Sequence, residues 1–273
     1  MELRYPESVR ASLVNYVFTR DVWLNALLHK PIDASRISRR LGVITLHGSE
    51  GTAMSGINAW LAPSLASKGY AVLSPNKRDS GKAYYRSSFD WCKDDIASAI
   101  RFMKSAEGLE GVALVGHSLG ATEATYYAGK TKDRSVRTLV LLGAPLWPKN
   151  VLSRDKLSLA ERHQGDKKFL IDDGDGMPVS ADHYLSYWAP GSNNDIRKWI
   201  GKVNVPILNV GHAIRLNSLC NAQASRRIEK LAIHSAGTKT VIIKGAPHSF
   251  AGHLRETGSL VSAWLDSVSQ GAA

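Results

Sequence analysis

From residue 41 onward, short apolar runs alternate with longer stretches of helical periodicity, and this rhythm narrows the possible folds more than any other feature of the chain. Residues 41–46, 71–74, 111–115, 136–142, 206–210 and 240–244 are each four to seven residues long and rich in Val, Ile and Leu. Strands this apolar must be covered on both faces, which antiparallel surface sheets rarely need and parallel sheets always do. Between them, residues 57–68, 90–104, 121–130, 222–234 and 260–268 space their apolar side chains as helices do, with Ile96, Ile100 and Met103 as an example. The pattern predicts an α/β fold: a mostly parallel central sheet of about eight strands, flanked by helices. Ahead of it, residues 12–28 read as an antiparallel edge hairpin, with Val14, Tyr16 and Phe18 before a turn at Arg20-Asp21 and residues 23–28 after it.

The rhythm breaks once. Residues 146–202 are rich in Asp, Gly, Asn, Trp and Tyr, show no clear strand, and are too long for an ordinary connection. They are expected to form a cap or lid with short helices, inserted into a core made of residues 1–145 and 203–273. Within the insertion, Asp172-Asp173-Gly174-Asp175-Gly176 superficially resembles a calcium loop but lacks its closing glutamate, so a polar turn is the better reading.

Composition excludes several classes. The 35 Lys and Arg against 24 Asp and Glu leave a formal charge of +11, but no long basic block or interleaved aromatic platform accompanies it, so no nucleic-acid role is expected. The two cysteines, Cys92 and Cys220, are far apart and lack ligand spacing, which argues against a metal site or disulfide scaffold. There is no apolar leader and no run of about 18 apolar residues. A cytoplasmic chain without a membrane span is expected; the oligomeric state is left open.

The chemistry concentrates at Gly116-His117-Ser118-Leu119-Gly120, where a predicted strand runs directly into a predicted helix. The G-x-S-x-G spacing suits a nucleophile on a sharp, strained turn, because glycines two positions either side let the chain segments pass closely. The helix that follows points its first N–H groups at developing negative charge. On these residues the chain resembles the α/β-hydrolase family, esterases and lipases included, over about residues 10–270. The resemblance implies Ser118 as nucleophile, with an oxyanion hole made by the N–H of Leu119 and that of Ser49 in His47-Gly48-Ser49. It implies no cofactor.

A nucleophilic serine needs a base. Of nine histidines, His248 is favoured because it follows the last predicted strand in Gly245-Ala246-Pro247-His248, where the resembling family carries its catalytic histidine. His253 and then His212 are next; His29, His163 and His234 read as surface residues. The third group is harder to find. Around residues 205–217 and 146–150, where the family supplies an acid, no carboxylate is present. Three readings stay open: an acid from the insertion, with Asp182 the leading candidate among Asp172, Asp173, Asp175 and Asp182; a neutral partner, Asn217; or a weakened dyad. Trp147, Tyr184 and Trp188 are candidates to line a pocket for a small ester or acyl substrate. Lys77 and Arg78 read as a solvated loop, with attraction of an anionic substrate as the alternative. The expected reaction is hydrolysis of a carboxylic ester or thioester through an acyl-Ser118. The alternatives are an acyltransferase using the same residues, or a degenerate hydrolase that binds a ligand or protein.

Overall fold

The structure, a computed structural model, describes residues 5–19, 22–37, 41–146, 153–172, 177–213 and 220–271. Strands β1 (Val9–Thr19) and β2 (Val22–Pro31) form the edge hairpin, paired antiparallel along nearly their whole length. The alternation then runs β3 (Gly42–Leu46), α1 (Asn58–Ala66), β4 (Val72–Asn76), α2 (Trp91–Glu107), β5 (Val112–His117), α3 (Leu119–Thr131) and β6 (Val136–Leu142). The departure from the rhythm holds α4 (Arg154–Arg162), the three-residue strands β7 (Leu170–Asp172) and β8 (Pro178–Ser180), and α5 (Ala181–Trp188). The alternation resumes with β9 (Ile207–His212), α6 (Ala222–Leu231), β10 (Thr238–Ile243) and α7 (Leu254–Ser269).

Eight strands share one sheet in the order β1-β2-β4-β3-β5-β6-β9-β10. Only β2 runs against the others, pairing antiparallel with β1 on one side and β4 on the other; β4, β3, β5, β6, β9 and β10 form one continuous parallel run. Parallel strands need crossover helices, and those helices bury both faces. Alternate residues of the central strands accordingly enter two separate cores. Val43, Ala113, Val115, Val140 and Val210 pack with Leu61 and Leu65 of α1 and Val261 and Leu265 of α7. Ile44, Leu46, Leu114, Leu139 and Leu141 pack with Ile96, Ile100 and Met103 of α2, Ala121 and Ala124 of α3, and Ile228 of α6. Each fully buried Leu or Ile contributes about 2 kcal/mol of transfer free energy.

The strands β7 and β8, an antiparallel pair, correct the expectation that residues 146–202 hold no strand. Three-residue strands are too short to show alternation in sequence. The pair packs against α4 and α5 around Ala160, Ile171, Val179 and Tyr184. Because six strands are parallel, their carboxyl ends lie along one edge of the sheet, where ligand sites form in open α/β folds.

Candidate active site

Strand β5 ends at His117 and helix α3 begins at Leu119, so Ser118 alone makes the turn. It does so at φ 55° and ψ −120°, a conformation that costs a non-glycine residue about 1–3 kcal/mol. The flanking glycines make that turn possible. A Cβ on Gly116 would collide with the carbonyl of Gly120, and one on Gly120 with the carbonyl of Leu46. The Ser118 N–H donates to Leu142 O at 2.9 Å, which carries the β5–β6 register into the turn.

His248 lies in the loop between β10 and α7, with its Nε2 3.0 Å from Ser118 Oγ. Its Nδ1 is 3.1 Å from Nε2 of His212, the last residue of β9, which is 1% exposed. The backbone of the loop is tied down as well, since His117 Nε2–H donates to the His248 carbonyl at 2.9 Å. Phe250, fully buried at φ 56°, sets its ring edge-on to His117 and His212. The two rings of the His212–His248 pair sit over Gly143, where an added Cβ would come within 3.1 Å of His248 Nδ1. Burial, and then the neighbouring His117 and His212, lower the His248 pKa to about 4. A hydroxyl held on the free nitrogen of a neutral imidazole can lose its proton as it attacks an electrophile.

The loop after β3 passes directly against this pair. A Cβ on Gly48 would lie 3.2 Å from Ser118 Cβ, and Ser49 follows in an exposed turn closed by Gly51 N–H to Gly48 O at 3.1 Å. Buried His47 holds the loop: its Nδ1–H donates to Gly48 O at 2.9 Å, which leaves Nε2 to accept from Ser80 Oγ at 2.8 Å. That arrangement requires a neutral ring, and burial together with Lys77 lowers its pKa to about 4. Leu119 opens α3, with its N–H at the helix's positive end.

Asn217 and Trp147 fall outside the described residues. Asp182 accepts from Gly165 N–H at 3.1 Å and lines an open cleft of about 830 Å³ whose walls do not include Ser118 or His248. Tyr184 is fully buried in the β7–β8–α4–α5 core, which corrects its reading as a pocket residue: it packs. Trp188 is partly buried, between that core and the cluster around Tyr84, Phe89 and Tyr187. His253 caps α7 against Glu256 at 3.2 Å. His29 is buried rather than on the surface, with Tyr5 Oη 2.7 Å from its Nδ1.

The reading of Lys77 and Arg78 as a solvated or substrate-facing loop is also corrected. Lys77 is buried against Glu123 at 2.5 Å and Asp79 at 3.2 Å, and Arg78 pairs with buried Asp95 at 2.6 Å. Sequence reasoning missed the partners because Glu123 is on α3, 46 residues away. It also missed His212 as the neighbour of His248. The signal is present in the sequence, since His212 closes the strand after which the resembling family carries its acid, but the reading there weighs a carboxylate or Asn217 and takes His212 only as a candidate base.

The fold and this geometry define an α/β hydrolase fold, and a sequence model of that family matches residues 43–175. The chain has the α/β-hydrolase fold. Est1E from Butyrivibrio proteoclasticus, in a structure with ferulic acid bound, superposes with a TM-score of 0.71 at 18% identity, covering 92% of this chain and 97% of that one. The Pyrococcus furiosus esterase Pf2001 gives 0.64 at 18% identity, over 95% and 90%. Dienelactone hydrolase from Anabaena variabilis gives 0.61 at 16% identity, over 94% and 97%. No curated protein matches the chain by sequence.

Proposed function

We propose that the protein hydrolyses a carboxylic ester or thioester of a small molecule through an acyl-Ser118 intermediate, with His248 as general base. The observation that carries this reading is the 3.0 Å contact between Ser118 Oγ and His248 Nε2, made at a strained strand–helix turn. As Oγ attacks the carbonyl carbon, its proton passes to His248 Nε2 and the carbonyl π pair moves onto oxygen. The N–H groups of Leu119 and Ser49 receive that oxyanion. His248 then gives its proton to the leaving oxygen or sulfur as the bond to carbon breaks, and water repeats the cycle on the acyl-enzyme. Residues 146–202 act as a cap beside the site, with Trp147 and Trp188 among its aromatic residues. The similarity to Est1E, to esterase Pf2001 and to dienelactone hydrolase supports an ester as the substrate class.

Hydrolysis of p-nitrophenyl acetate by the wild type and Ser118→Ala tests the reading. Turnover should vanish in the variant, and a fluorophosphonate probe should label Ser118 of the wild type alone. Equal turnover by both proteins would remove Ser118 from the chemistry. A wild type that neither turns over nor labels would favour a ligand-binding role for the same fold.

A further inference from the structure

We infer that His212 occupies the place of the acid in a Ser118–His248–His212 relay, orienting His248 as a neutral hydrogen-bond acceptor. The inference rests on the hydrolase reading of Ser118 and His248 and adds a residue to it. The proton inventory follows from the contacts. For Ser118 to donate to His248 Nε2 at 3.0 Å, that nitrogen must be unprotonated, so the neutral His248 carries its proton on Nδ1. The Nδ1–H then points at His212 Nε2, 3.1 Å away, which must accept it. His212 therefore does two things that a triad carboxylate does: it selects the reactive tautomer, and it fixes the ring plane. It does not do the third, which is to place a negative charge beside the imidazolium.

Location supports the assignment. His212 ends β9, the strand between β6 and β10, and the β10–α7 loop carries His248 across that same edge. The residues that follow it, Ile214 to Leu219, contain no carboxylate. Among the described residues, the groups that face His248 are Ser118 and His117 from the β5–α3 turn, Gly143 after β6, and His212 itself. Among the described residues no carboxylate faces His248, and burial, then His117 and His212, lower its pKa to about 4. During the reaction His212 keeps its own proton and gains none; it is a positioning residue.

The test compares His212→Ala, His212→Gln and His212→Glu with the wild type, using p-nitrophenyl acetate kinetics and the rate of fluorophosphonate labelling of Ser118 from pH 4.5 to 9. Glutamine and glutamate place an acceptor oxygen the same number of bonds from Cα as Nε2 of histidine. His212→Ala should lower kcat about 100-fold with KM little changed, a smaller loss than the roughly 10⁴-fold of a triad held in the wrong tautomer. His212→Gln should restore most of that loss without moving the acid limb of the pH profile. His212→Glu should move the limb upward by one or more pH units, because an adjacent anion stabilises the imidazolium by about 1–3 units of pKa. A purely structural role cannot move the limb in this order. If all three variants follow the wild-type profile, the relay is wrong, and a kcat loss in Asn217→Ala would pass the role to Asn217. If Ser118→Ala retains turnover or the wild-type serine does not label, the hydrolase reading fails instead.

Discussion

At the scale of single residues, the site depends on a serine at positive φ and an imidazole that stays neutral. In the proposed mechanism His248 is the base, and a base works only unprotonated. With the His248 pKa lowered to about 4, kcat/KM should be nearly flat from about pH 5.5 to neutrality and fall only as pH drops toward 4, whereas an unperturbed histidine would show its limb near 6.5. A limb measured at 6.5 would mean that the ring is less desolvated than its contacts with His117 and His212 imply. His253→Ala should keep most activity, because that ring meets Glu256 rather than Ser118. Gly120→Ala should be poorly folded, since its Cβ would overlap the Leu46 carbonyl at the crossing of α3 and β3. Overpacking of backbone on backbone costs about 3 kcal/mol, and a urea melt indistinguishable from wild type would contradict it.

At the scale of elements, the end of β4 is fastened to α3 by charge. Lys77 sits between Glu123 and Asp79 with almost no exposure of any of the three, and the Tyr187 hydroxyl of α5 donates to Asp79 Oδ2 at 3.4 Å. One cation faces two carboxylates in a dry interior. Burial pushes the Glu123 carboxyl well above the usual range, while Lys77 and His47 overcome the same effect at Asp79 and hold it low. Removing the cation leaves anionic groups buried without compensation, so Lys77→Met should destabilise the protein by about 3–5 kcal/mol. Adding Glu123→Leu to that variant should recover part of the loss, because one of the stranded carboxylates is gone. Urea denaturation of the single and double variants decides it; a double variant no more stable than the single would show that the cluster's charge balance is not what holds β4 to α3.

For the molecule as a whole, three buried histidines make stability depend on pH. Burial lowers the pKa of His29, His47 and His183 to about 4, below the unfolded value of about 6.5. Their contribution is therefore fully present above 6.5 and is lost as pH falls through 4, when the unfolded chain binds protons that the folded one refuses. Each such proton adds a slope of about 1.4 kcal/mol per pH unit. Tm should decline steadily from pH 6.5 to 4, more steeply than His29→Leu, which removes one of the three. A Tm that is level over that range would mean the rings charge without cost. The activity limb is best read together with this decline, by circular dichroism on the same samples. Among the described residues no helix is long and apolar enough to cross a membrane.

The amino-acid sequence by itself determined the layer architecture, because strands such as 42–46 and 136–142 are apolar on both faces and only a helix-covered parallel sheet buries them. It also placed Ser118 at a strained strand–helix turn, since a Gly-x-Ser-x-Gly turn between a strand and a helix is a local pattern whose steric reason is local. The place of His248 after the last strand was legible too, and the structure sets its ring against Ser118. What only the tertiary structure decided were the pairings across the sheet: His212 against His248 over Gly143, Glu123 against Lys77, and the burial of Tyr184 and His29. Those contacts join residues 36 to 46 positions apart, or depend on which side of a helix meets the core. No periodicity records them. Strands β7 and β8 escaped for a related reason: at three residues each they carry no repeat, and their stability comes from the helices packed on them.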